Sequence, residues 1–600
     1  MDTFGDLFRY LKIYRHYIGR RMYIIFVLST FTAFASSFGI ALLLPLLRAS
    51  QTSGGSPEDM GTAEQWLYDL LSWMGIAESM GGILAFIAVV FVGKGLLMFV
   101  QSGYKGYLQA QLLRELKARL FDAYAGMEHR YYIRNNTGHF INVINGQVGS
   151  FFGSFNSLVG FLTKVLTTLA YFGFALAITW EFSLLAIGVG VGILFLFKYL
   201  NTYVRTLSRE KSQEMSHLNK LLVQTLQSLK YVVSTNQTAH LRSRIMESIR
   251  RMTDYIFRQN VASAFTGAIR EPASVLLIVG IISLQVVVFQ DPIAPIFVAL
   301  LLFHRGMQTV ISVQQQWQST MDAIGSVEMV DDEFNNVLAH QEDREGEALG
   351  SLSEGIEFDS VHFAYNGEDG DVLHDVNISV PVNQTVALVG ESGAGKSTLV
   401  DMMTLMLPPR RGEIRIDGVS HTDVDFNSWR DQIGYVSQET VVFDDTVANN
   451  ISLWQGDIEE DPALRERVIH AAERAHADHF IRDMPNGYQT VVGDRGVRLS
   501  GGQKQRLFVA RELFKQPNVL LLDEATSDLD TASEQKIQNS IDALQGEVTV
   551  VIIAHRLSTV KNADRVYVLD QGRVIEAGSY HELRSRENGQ FREMVEMQSL

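Results

Sequence analysis

The sequence predicts an α-helical six-span transmembrane domain with long cytoplasmic helix extensions, fused to an α/β P-loop domain. Three observations predict it. Long apolar runs crowd into the first half of the 600 residues. Charge divides at the same place: residues 1–320 hold 27 Lys+Arg against 17 Asp+Glu, and residues 321–600 hold 24 against 50. In the second half, a Gly-rich loop stands between an apolar strand and a helix. The expected boundaries are 1–330 for the membrane domain, 331–354 for an acidic, Gly/Ser-bearing linker, and 355–600 for the α/β domain.

Composition narrows the class. Cys is absent, which excludes disulfide scaffolds, thiolate metal sites and thiol catalysis. With 11 Pro and no low-complexity tract, disordered and fibrous classes are excluded too. The acidic second half argues against a nucleic-acid partner, which needs a basic footprint.

The apolar runs are 22–47, 81–100, 151–179, 182–200, 273–289 and 293–303. A helix needs about 20 apolar residues to cross a bilayer core. The first four qualify alone. The last two are shorter, and Asp291-Pro292 between them suits a hairpin turn. Segments 1–21, 101–150 and 201–260 hold 5, 6 and 10 Lys+Arg, whereas 48–80 holds Arg48 against five acids. The positive-inside rule therefore puts both termini and the two long connections in the cytoplasm. Phe4, Leu7, Phe8, Leu11 and Tyr14-Arg15 suit an amphipathic elbow helix at the interface, ahead of the first span. Residues 101–127 and 205–260 keep helical periodicity, so the spans are expected to continue into the cytoplasm. Breaks fall at Asn135–Gly138 and near Ser234–Thr238, where contact with a cytoplasmic engine is expected.

Val386–Val389 reads as a strand. Gly390-Glu391-Ser392-Gly393-Ala394-Gly395-Lys396-Ser397 follows, and a helix runs on from Thr398. This is G-x-x-x-x-G-K-[ST] in its strand–loop–helix context, a cradle for nucleotide phosphates. Lys396 is expected on the β- and γ-phosphates and Ser397 on Mg²⁺. Val519–Leu522 leads into Asp523 and Glu524, which suit a metal-directed aspartate and a carboxylate that polarises the attacking water. Ser500-Gly501-Gly502-Gln503 opens another helix and makes a second anion nest. Two nests on one γ-phosphate imply two chains arranged head to tail, a dimer with ATP between the subunits; one chain supplying every element favours a homodimer.

These motifs resemble the nucleotide-binding domain of ATP-binding cassette proteins, and the whole chain resembles an exporter half-transporter. The resemblance implies that Tyr365 stacks on adenine and that Gln438 lies in a loop sensing Mg²⁺. It also implies that Ser500–Gln503 is the signature, Ser527–Asp530 the D-loop and His555 the switch histidine. Two departures stand out: Asp528 where Ala is usual in the D-loop, and Val491 and Asp494 where glutamates are usual before the signature.

Counting from the expected outer ends of their spans puts Lys94, Lys164 and Arg305 roughly 20–24 Å deep, toward the inner leaflet, with Arg270 deeper and His304 beside Arg305. Charges at such depth are costly and usually face a cavity. A basic girdle suits an anionic headgroup. The pattern resembles bacterial exporters that flip lipid A and lipid-linked oligosaccharides. It implies an ATP- and Mg²⁺-dependent flippase in a bacterial inner membrane, taking an amphipathic anionic substrate from the surrounding lipids. Drug or peptide export and an ATP-gated channel are the alternatives.

Overall fold

The protein is described here from a computed structural model covering residues 3–50, 62–77, 79–178, 180–284, 297–342, 346–365, 370–523, 531–554 and 556–598. It divides into two compact units, Met1–Met127 with Tyr131–Gln341, and Glu128–Arg130 with Glu342–Leu600. The division falls within residues 331–354. Residues 331–339 belong to the helix Ile324–Ala339, because Val330, Phe334 and Val337 recur at helical spacing and are buried.

The first unit is built of helices, with one isolated β-bridge, Met127–Gln341, among its described residues. Four segments are long and apolar enough to cross a membrane: Arg21–Leu46, Met80–Ala125, Thr137–Ala177 and Thr238–Ser283. They overlap the expected first, second, third and fifth runs; residues 285–289 of the fifth lie outside the described residues. The fourth run forms the 17-residue helix Trp180–Leu196, and the sixth lies largely within the 26-residue helix Phe297–Asp322. The Asp291-Pro292 turn lies outside the described residues. Ser79 caps the helix Met80–Ala125 by accepting from the Gly82 amide at 3.1 Å. Its 46 residues span about 69 Å at 1.5 Å per residue, more than twice a bilayer core.

Both expected breaks are present. Asn136 caps the helix Thr137–Ile141 by accepting from the His139 amide at 3.0 Å. Asn236, at φ +56°, separates Leu229–Ser234 from Thr238–Ala268. A wide π turn, Asn142–Gln147, then leads into Val148–Ile178. Asn142 is pinned there: it donates to Ser216 Oγ at 2.7 Å and accepts from Asn219 Nδ2 at 2.9 Å.

The helix Thr3–Ile18 is a docked element as well as an amphipathic one. Tyr10, Tyr14 and Ile18 are buried in one stripe, and the Tyr14 ring meets Phe151 at 5.1 Å and Phe155 at 5.5 Å. Tyr17 donates to Asp331 at 3.1 Å. The expected face is therefore corrected at Tyr14, which faces protein; Phe8 stays exposed, and the side chains of Phe4 and Leu7 lie outside the described residues. Each aromatic pair adds about 0.5–1.5 kcal/mol beyond area burial.

The second unit holds two sheets. Its strands are β1 (Gly355–Phe363), β2 (Leu373–Pro381), β3 (Thr385–Gly390), β4 (Arg411–Ile416), β5 (Val419–Ser420), β6 (Ile433–Val436), β7 (Val519–Asp523), β8 (Thr549–Ile553), β9 (Arg565–Asp570) and β10 (Arg573–Gly578). One sheet is antiparallel, in the order β2-β1-β4-β5. The other has the order β10-β9-β3-β8-β7-β6 and is parallel except for β10. Strands β7 and β8 are buried along their whole length, as a parallel sheet covered on both faces requires. This order brings the carboxyl ends of β3, β8, β7 and β6 side by side, the edge where ligands bind in open α/β sheets.

Candidate functional site: a phosphate loop, a carboxylate pair and an exposed helix cap

The phosphate loop leaves β3 at Gly390, where a side chain would run into the Leu569 carbonyl. It ends at Gly395, whose φ of +98° opens the helix Lys396–Met403. Both positions require glycine. Lys396 folds back and donates to the carbonyls of Gly390 at 2.8 Å and Glu391 at 2.9 Å. Its ammonium is buried within the loop, and nothing would obstruct a Cβ at Gly393 within 4 Å. Glu391, Ser392 and Ser397 are exposed, whereas Ala394 and Thr398 are buried. A cationic centre inside an open ring of backbone amides fits the phosphates of a nucleotide.

Tyr365 follows β1. Its ring meets Phe363 edge-on at 5.0 Å, and its hydroxyl lies 3.1 Å from Thr398 Oγ1 on the first turn after Lys396. Arg130 donates to the Ala364 carbonyl, one residue before Tyr365, at 3.3 Å.

Asp523 is buried at the end of β7. Sequence reasoning missed its neighbour, Asp401. Burial and the nearby Asp523 carboxylate push the Asp401 carboxyl up to about 6. The same two carboxylates, after burial, push the Tyr435 hydroxyl upward. A recognisable signal was the spacing: Asp401 is four residues past Ser397, on the same face of one short helix. Crowded carboxylates beside a phosphate loop fit a divalent cation, whose charge would relieve their repulsion. Gln438 is exposed just beyond β6, the strand next to β7. Glu524, the D-loop Ser527–Asp530 with Asp528, and His555 lie outside the described residues.

Ser500 caps the helix Gly501–Phe514 in a reciprocal box. Its hydroxyl accepts from the Gln503 amide at 3.3 Å, and its own amide donates to Gln503 Oε1 at 2.9 Å. Arg511 anchors the other end, donating to Asn450 O at 2.6 Å, Asn450 Oδ1 at 2.9 Å and Val441 O at 2.8 Å. The helix body is buried, while Ser500 and Gly501 at its positive end are exposed and Gly502 is covered. Val491 and Asp494, in the loop before it, are exposed as well.

In the first unit, Lys94 lies within electrostatic reach of Arg305 and Lys164. Its ammonium stands 5.5 Å from the Phe91 ring. The expected common depth is corrected. Ser154 bonds Thr320 O, Thr168 bonds Thr309, and Phe172 packs on Gly306. This antiparallel register sets Arg305 level with residue 172, eight residues or about 12 Å from the level of Lys164. Counting from helix ends had assumed that the two helices start level. The cations form a staggered ladder, not a ring. His304 Nε2 accepts from Gln308 Nε2 at 2.9 Å, and the side chain of Arg270 lies outside the described residues.

The ABC transporter family model matches residues 373–527, and the model of the ABC transporter transmembrane region matches residues 22–311. An ATP-dependent lipid A-core flippase of Haemophilus influenzae is 31% identical over 528 residues, covering 86% of this chain and 88% of that protein. That of Vibrio cholerae is 30% identical over 596 residues, covering 98% and 96%. A solved bacterial Atm1-family ABC exporter with ATP bound aligns at a TM-score of 0.78 and 25% identity, over 97% of this chain and 100% of that one. The cassette binds ATP, and its hydrolysis is coupled to transport through an integral membrane region. The chain belongs to the ABC transporter family, as an exporter carrying its transmembrane region and its ATP-binding cassette in one polypeptide.

Proposed function

We propose that this exporter is a homodimeric flippase that moves an amphipathic, anionic, lipid-linked molecule from the inner leaflet outward by alternating access. The observation that carries the reading is that Lys94 lies within electrostatic reach of both Lys164 and Arg305, each on a separate helix. Cations are costly in a bilayer and are retained where an anion offsets them. Two relatives named as lipid A-core flippases support the same substrate class. The ladder suits a ligand carrying more than one anionic group along its length.

Residues 1–341 would form the membrane region with six spans, cytoplasmic helix extensions and both termini in the cytoplasm of a bacterial inner membrane, and residues 342–600 the cassette. Lys396 and the amides of Gly390–Thr398 would hold the ATP phosphates, with Tyr365 on adenine. Ser397, Asp523 and Gln438 would hold Mg²⁺, which neutralises charge on the phosphates when bound. The exposed cap Ser500–Gln503 would close over the nucleotide held by the partner subunit. Glu524 would orient the attacking water and His555 would face the γ-phosphate.

The test is ATPase stimulation and lipid flipping in liposomes. Lys164→Gln and Arg305→Gln should each weaken stimulation by an anionic lipid about tenfold, with no loss for a neutral hydrophobic drug. Equal flipping of the anionic lipid by both variants and the parent would overturn the substrate class.

A further inference from the structure

The antiparallel sheet of the second unit carries a cluster that ATP binding does not use. His362 lies on β1, His374 on β2, and Asp371 two residues before β2. Their donor atoms all lie within 4.8 Å of one another. The register explains the meeting. Phe363 pairs with Leu373 and Val361 with Val376, and His362 and His374 lie in the irregular step between them, where the register shifts by one residue. Phe363 and Leu373 are buried on one face, which turns both imidazoles to the other.

The backbone beneath them is fixed. Val372 donates its amide to Phe363 O at 2.6 Å, and the His374 amide donates to Gly572 O at 2.8 Å. Asp371 is oriented from both sides: Oδ2 lies 3.3 Å from His362 Nδ1, and Oδ1 accepts from Arg410 at 3.3 Å. A plain ion pair would need only these partners. His374 adds a third, half-buried donor whose ring nitrogens make no hydrogen bond among the described residues. The two imidazoles stand edge to face at 6.5 Å, with room between their nitrogens.

We propose that His362, Asp371 and His374 bind a zinc-type divalent transition-metal ion, with water completing a tetrahedral site. Zinc takes imidazole nitrogen at about 2.0–2.1 Å and carboxylate oxygen at about 2.0–2.2 Å, so its ligands stand roughly 3.4 Å apart. Side-chain rotations of about 1 Å close the observed spacing to that value. Arg410 then serves as the outer partner that orients the ligating carboxylate. Two imidazoles and one carboxylate select zinc-like ions over Mg²⁺, which prefers oxygen donors only. The ion would pin the start of β2 to the end of β1, three residues before Tyr365.

The experiment uses the full chain in nanodiscs, stripped with a chelator, at neutral pH and with Mg²⁺ in excess. Titration with ZnCl₂ is followed by calorimetry, and CoCl₂ by its visible absorption. The parent should take up one tight equivalent of Zn²⁺ per chain and show intense tetrahedral Co²⁺ bands. The double variant His362→Ala/His374→Ala and the single variant Asp371→Asn should bind at least tenfold more weakly and lose those bands. Melting temperatures matched to the parent in chelator establish that the variants fold; His421→Ala, outside the cluster, should keep the tight equivalent. Equal uptake by parent and variants, or only the pale absorption of octahedral Co²⁺, would overturn the site.

Discussion

Asp401 holds its carboxyl beside that of Asp523, and burial together with this neighbour pushes it up to about 6. An unfolded aspartate titrates near 3.9. Between roughly pH 4 and 6 the folded protein therefore holds a proton that the unfolded chain has lost. Stability from this site is full below pH 4 and is lost as pH rises through 6. Asp401→Asn should remove that slope and raise the melting temperature at neutral pH by about 2–4 °C. Added Mg²⁺ should narrow the gap by stabilising the parent more than the variant. Thermal melts from pH 4 to 8, with and without Mg²⁺, check both outcomes.

Lys396 closes the phosphate loop through two carbonyls and would exchange them for phosphate oxygens. Charge-assisted hydrogen bonds contribute about 1.5–3 kcal/mol each. Lys396→Ala should weaken ATP binding by a factor of about 10–100, read by fluorescent-nucleotide titration. Binding at the parent's affinity would remove the lysine from the site.

The exposed cap of Ser500 predicts a division of labour between copies. In cross-linked dimers pairing a Lys396→Ala subunit with a Ser500→Arg subunit, both defects should fall on one nucleotide and leave the other intact. Photolabelling should then mark one site per dimer. Two equal sites would contradict the head-to-tail arrangement.

Tyr14 is fully buried against Phe151 and Phe155. Tyr14→Ala should destabilise the first unit by about 3–5 kcal/mol. Tyr14→Phe should cost far less, because the ring contacts remain. Detergent thermal-shift curves distinguish the two.

The phosphate loop was legible because its chemistry is local. Gly390, Gly395, Lys396 and the flanking strand lie within a dozen residues, and backbone geometry does the rest. Asp523 was legible for the same reason, at the end of an apolar run. Asp401 escaped because its meaning depends on β7, more than a hundred residues away. The helix ending at Ala339 escaped for another reason. Acidic residues such as Asp331, Asp332 and Glu333 read as solvated linker until Tyr17 and its neighbours supply partners. The stagger of Lys164 against Arg305 escaped because depth was counted from helix ends, whereas Thr168 and Gly306 set the register.

The π turn at Asn142–Gln147 has a consequence for ancestry. One extra residue in a turn rotates everything after it by about 100°. Without that rotation, the stripe of Phe151, Phe155 and Leu158 would point away from Tyr14 and the other side chains it packs with. A lineage that deleted a single residue here would have to re-phase the whole downstream helix at once. Single-residue gaps between 142 and 147 should therefore be rare among relatives.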